Sequence, residues 1–149
     1  MKKAKLIMLA LVAGAFTLTG CKKYENGGSL KKAEKNLAND WTFDTYYLDG
    51  VDRTSTMTVS NFSEKFNSDG TMNRSYTDAS GDPISQDGTW MMDDDKTKIS
   101  VSGVGSIELT EETGTVSASE YIILKLTEDE LWYHYENGGY DHEFHLVPN

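Results

Sequence analysis

Disulfide cross-linking is excluded at once, because the 149 residues contain one cysteine, Cys21. The fold has no covalent staple and rests on its apolar and aromatic side chains. With only two prolines in the chain, the turns fall to Gly combined with Asp or Asn. No apolar run reaches the ~20 residues needed to cross a bilayer as a helix; the stretch over residues 6–18 stops well short. Positive charge is scarce beyond the N-terminal third. From Asp40 onward there are six basic residues against 22 acidic ones, a formal charge of −16. Such a surface repels a phosphate backbone, so nucleic acid is excluded as a partner. Either a cationic protein partner or simple solubility suits the acidic surface.

What is present begins with Lys2, Lys3 and Lys5, then the apolar stretch, then the small pair Thr19-Gly20. This is the layout of a secretory signal peptide. Its last residues, Leu18-Thr19-Gly20-Cys21, resemble the lipobox of bacterial lipoproteins. That resemblance implies cleavage before Cys21, acylation of its thiol, and membrane attachment through the acyl chains. Each buried methylene contributes about 0.8 kcal/mol, so two or three chains hold a protein stably. Lys22, where an inner-membrane lipoprotein carries Asp, implies onward transport to the outer membrane. The basic residues after Cys21 favour the periplasmic face, with the cell surface as the other address. The sequence thus divides into a signal peptide (1–20), a lipidated Cys and flexible tether (21–39), and a folded domain (40–149). Gly27-Gly28-Ser29 supplies flexibility to the tether, and a short helix is expected over 30–36.

The folded part, 110 residues, suits one domain with one core. Turn signals recur every eight to twelve residues, the spacing of all-β sandwiches and barrels. "WTFDTYYL" alternates Trp41, Phe43, Thr45 and Tyr47 against the intervening residues, and "MTVSNFSEKF" turns its Phe62 and Phe66 inward. "NSDG" over 67–70 is a tight hairpin turn. "TMNRSYT" and "ISQDGTWMM" follow, the latter carrying Trp90. In "EYIILKL", Tyr121 and Ile123 share one face, with Ile122, Leu124 and Leu126 on the other. Eight or nine antiparallel strands joined by short turns form an up-and-down barrel. "NLANDW", "FNSDGTM", "DGTW" and "LTEDELWYHY", in this order, resemble the lipocalin-like domains of small lipoproteins of Bacteroidota-type bacteria, over roughly residues 36–147. The resemblance implies a barrel closed near one end by Trp41.

Trp41, Phe43, Tyr47, Phe62, Phe66, Trp90, Tyr121 and Trp132 are the candidate ligand-binding side chains. In a barrel of eight strands they either fill the interior or line a pocket for one small hydrophobic molecule. His134, His142 and His145 lie close in sequence. A three-residue loop over 137–139 sets His134 opposite His142 and Trp132 opposite Phe144, bringing two imidazoles and Glu136 toward a divalent metal; a two-residue loop breaks that pair. Asp93-Asp94-Asp95 lacks the spacing of a calcium loop and reads as a solvated hairpin tip. No cofactor, metal site or catalytic residue is assigned: there is no Gly-x-Ser-x-Gly elbow, and no free thiol once Cys21 is acylated. The expected function is non-enzymatic binding of a small hydrophobic ligand, the alternative an interaction or inhibitor module with a cationic partner.

Overall fold

The computed structural model describes residues 23–149, so the expected signal peptide and Cys21 lie outside the described residues. Eleven strands follow a short N-terminal helical segment. Eight of them, β1 (Asp40–Leu48), β3 (Ser60–Phe66), β4 (Thr71–Thr77), β5 (Pro83–Met92), β6 (Lys98–Ser102), β9 (Glu120–Leu126), β10 (Leu131–Asn137) and β11 (Tyr140–Pro148), form a continuous antiparallel sheet. The sheet closes on itself where β1 pairs with β11, from Trp41↔Pro148 to Leu48↔His142. Closure leaves these strands no open edge. An extra strand, β2 (Val51–Asp52), pairs with the end of β1.

The expected all-β, up-and-down barrel is therefore present, with one departure. "IELT" and "GTV" do not join the wall. They form a separate hairpin, β7 (Ile107–Thr110) and β8 (Gly114–Val116), inserted between the barrel neighbours β6 and β9. Ile107, Leu109 and Val116 are buried, and Thr58 ties the hairpin to the loop before β3, its N–H donating to the Leu109 carbonyl at 2.8 Å. The hairpin covers the barrel end where β1 finishes and β3 begins.

The opposite end is sealed by residues expected to be a tether. Leu30–Lys32 form a 3-10 turn and Ala33–Leu37 a short helix, α1. Ala33 and Leu37, four apart and so on one helical face, are buried, as is Tyr24. Trp41 Nε1 donates to the Leu37 carbonyl at 3.0 Å, and Tyr24 Oη to the Lys96 carbonyl at 2.7 Å. From Tyr24 onward the segment is part of the folded body, because burying these apolar groups outweighs the freedom of a polar linker.

Besides a bulge in β3 between Ser60 and Ser63, two irregularities reset the alternation. In β1, pairing with β11 slips between Phe43 and Thr45; the bulge at Asp44 turns Tyr46 and Leu48 inward and Tyr47 outward. In β9, Lys125 pairs with Trp132 but Ile123 with Tyr133, so Leu126 turns inward beside Tyr121 and Ile123. Both correct the strict period-2 reading.

Candidate functional site

Phe62 and Phe66 point into the barrel, and β3's alternation carries Glu64 inward between them, fully buried. On β4 the same parity places Arg74 inside with Met72 and Tyr76. Glu64 Oε1 accepts from Arg74 Nε at 3.0 Å and Nη2 at 2.8 Å. From across the barrel, Tyr121 Oη reaches the same oxygen at 3.0 Å and Tyr133 Oη reaches Oε2 at 2.8 Å. Tyr121 and Tyr133 stack with ring centroids 4.3 Å apart. Their phenols are held well above the ordinary range by burial and then by the Glu64 charge, so both remain proton donors. Burial opposes the charge on Arg74, but the Glu64 carboxylate at hydrogen-bond distance outweighs it and keeps the guanidinium charged.

The third guanidinium nitrogen, Nη1, leaves this cluster and donates to the Gly105 carbonyl at 3.2 Å. Gly105 lies in the loop that leads from β6 into the covering hairpin. Gln86 sits directly opposite Arg74 in the β4–β5 ladder. Its Nε2 stands 3.5 Å from the Ser106 carbonyl, and its Oε1 is buried without a partner.

Above Glu64 runs an aromatic column. Phe43 stacks on Phe62 at 3.8 Å and approaches Phe144 at 5.4 Å; Phe144 lies 5.1 Å from Tyr46 and 5.4 Å from Tyr135. Tyr46 Oη bonds His142 Nδ1 at 2.8 Å, and His142 Nε2 faces the Asn137 carbonyl at 3.3 Å. Burial lowers the His142 pKa, against the pull of that carbonyl and of Asp141 and Asp49; the ring is neutral, its Nε2–H donating to Asn137.

Six of the eight sequence-derived candidates contribute to this interior. Trp41, Phe62, Phe66 and Tyr121 are buried, and Phe43 and Trp90 pack against them from partly exposed positions. Tyr47 and Trp132 do not. Trp132 is on the outer wall, opposite His145 in the ladder and stacked on it at 3.8 Å, with the Lys125 ammonium 4.4 Å over its ring. Tyr47 lies on the far side of His145 at 5.0 Å.

Of the two loop alternatives for the histidine hairpin, the structure has the two-residue one. Asn137 pairs with Tyr140, leaving Gly138 and Gly139, at φ of 64° and 86°, as a two-residue loop, the geometry a tight hairpin favours. His142 is then opposite Tyr135 and points inward, whereas His134 is opposite Glu143 and bonds Asp141 at 2.7 Å. Among the described residues no group of three or more His, Cys, Asp or Glu is placed to hold a metal ion. Asp93 stabilises its own turn, accepting from the Thr97 and Lys98 N–H groups at 2.7 and 2.9 Å.

Glu64, Arg74, Gln86, Tyr133 and His142 were not singled out from sequence as an interior site. The available signal was parity: Glu64 shares a face with Phe62 and Phe66, and Arg74 with Met72 and Tyr76.

No protein-family profile matches this sequence, and no curated protein sequence does. Several solved structures match in fold, two of them over most of this chain. A lipocalin-like protein from Bacteroides uniformis and an uncharacterized protein from Bacteroides eggerthii each superpose with a TM-score of 0.50 at 15% identity, covering 76% of this chain and 99% of the other. At that identity the likeness is one of architecture, and the described chain is an antiparallel, closed, lipocalin-like β-barrel.

Proposed function

We propose that this protein is a non-enzymatic binding barrel, tethered to the outer membrane through acyl chains on Cys21 and facing the periplasm, that takes up a small, largely apolar molecule. The observation that carries the binding reading is the construction of one barrel end. A separate hairpin covers that end, and beneath the hairpin lie a buried ion pair and an unpartnered amide oxygen. Buried ion pairs are weak contributors to stability compared with apolar packing of equal volume. A polar floor beneath a cover that is not part of the barrel wall is a reason to keep one.

Native mass spectrometry of the chain from Lys22, which contains every described element, tests the reading. The expected result is an additional mass of a few hundred daltons, carried through purification from a periplasmic host and lost on denaturation. A clean apo mass in every preparation removes the carrier reading. Attachment is tested separately: Cys21→Ser is expected to leave the membrane fraction, and its retention there would overturn the anchor.

A second reading, an interaction module for a cationic protein, draws on the distribution of charge. The hairpin end carries Asp49, Asp52, Glu108, Glu111, Glu112 and Asp141, with Arg53 bound to Glu112 at 3.3 Å. A shallow concavity of ≈ 630 Å³ lies there between Arg53, Met57, Thr110 and Glu112. Partner capture through this end is expected to collapse between low and moderate salt, whereas uptake of an uncharged apolar molecule is not.

A further inference from the structure

We infer that the covered mouth is a site for an apolar molecule with a neutral amide head, and that residues 103–116 occupy it as an internal surrogate when no ligand is bound. The inference rests on the small-molecule reading and assigns its chemistry. The surrogate shows what the site accepts. Its polar part is a pair of peptide carbonyls: Gly105 O takes the hydrogen bond from Arg74 Nη1 at 3.2 Å, and Ser106 O faces Gln86 Nε2 at 3.5 Å. Its apolar part is Ile107, Leu109 and Val116, all buried, beside a small concavity between Val59, Tyr76 and Ile84.

The head is neutral because Arg74 is already neutralised. Nε and Nη2 are committed to Glu64, so a ligand carboxylate would bring a second negative charge into a buried site whose one cation is taken. A carbonyl oxygen meets Nη1 without that penalty. An amide is favoured over an ester because Gln86 Oε1 is buried with no donor, and a ligand N–H would supply one. Buried polar atoms without partners are rare in folded proteins. The surrogate satisfies Arg74 and leaves Gln86 half satisfied, so an amide ligand replaces it with a better match.

Glycine sets how closely the covering loop lies on the site. Gly103 has φ +87°, where an L side chain is strained, and a Cβ on Gly105 would meet Gln86 Nε2 at 3.0 Å. The loop thus lies directly on the two donors, a close approach that glycine at 103 and 105 permits. A cover that must lift reduces apparent affinity by the fraction of molecules in which it is lifted.

The test titrates decanamide and decanoate into wild type, Leu109→Ala and Gln86→Leu by calorimetry, using the chain from Lys22. Val116→Ala, a smaller deletion in the same hairpin, serves if Leu109→Ala is poorly folded by circular dichroism. The expected result is decanamide bound about tenfold tighter by the loosened variant than by wild type, and about tenfold tighter than decanoate. Gln86→Leu is expected to erase most of that preference. Equal or tighter binding of decanoate would overturn the amide assignment while leaving the small-molecule reading intact. Binding of neither probe by the loosened variant would overturn both.

Discussion

Glu64 and Arg74 lock each other inside the barrel, and the consequence is asymmetric. Taking away one partner strands the other charge in a low-dielectric interior, which costs about 3–5 kcal/mol, whereas taking away both does not. Glu64→Gln and Arg74→Met are each expected to lose roughly that much, a large share of the about 5–15 kcal/mol that holds a domain folded. The double variant is expected to lose clearly less than the sum, as read from urea unfolding; strict additivity would show that the pair does not couple. His142 makes a pH prediction from the same burial. Its pKa lies below the ordinary 6.5, so the unfolded chain binds the proton more readily. The contribution to stability is complete above about pH 6.5 and is lost as pH falls below it. The urea midpoint of wild type is expected to drop between pH 7.5 and 5.5 by more than that of His142→Asn, and parallel curves would exclude the histidine as the cause.

At the scale of elements, the N-terminal segment is held by close backbone approach as well as by Tyr24 and Leu37. Gly28 has φ +103°, and a Cβ there would fall 1.9 Å from the Leu126 carbonyl oxygen and 2.7 Å from its carbon. Gly28→Ala therefore strains the left-handed backbone by about 1–2 kcal/mol and pushes the segment off β9. Its expected signature is a lower melting temperature together with protease cleavage within 23–39 that precedes cleavage of the barrel; an intact segment would show that its docking tolerates the displacement. This segment was not legible in the sequence because its buried residues, Tyr24, Ala33 and Leu37, are spread among lysines and glycines. The wall strands were legible because Asp-Gly, Gly-Asp and Asn-Gly turns bracket runs of period two. The bulges at Asp44 and in β9 were not, since an inserted residue leaves the composition unchanged while reversing every later side chain; Tyr47 was misplaced for that reason. Glu64 was readable by parity alone. Its role was not, because the partners Arg74, Tyr121 and Tyr133 come from other strands and meet only when the barrel closes.

For the molecule as a whole, the two barrel ends differ in charge. The end sealed by α1 mixes Lys31, Lys32 and Lys35 with acidic turns, and two of its pairs, Lys96 with Glu34 and Lys125 with Glu130, are ion-bonded. The hairpin end is almost entirely carboxylate around Arg53. Like charges crowded at one end repel within the folded state, and the unfolded chain relieves that repulsion by spreading them. Salt shortens the range of the repulsion to about 10 Å at 0.1 M, so stability is expected to rise as sodium chloride is added from low ionic strength. Glu111→Lys, placed on the exposed hairpin turn, is expected to raise stability by up to about 0.5 kcal/mol in low salt, with the gain shrinking as salt is added. Lys35→Glu, at the opposite end, is expected to act in the reverse direction. Melting both variants across a salt series separates this long-range effect from local contacts: a gain for Glu111→Lys that did not change with salt would place its cause in the hairpin and not in the field of the acidic end.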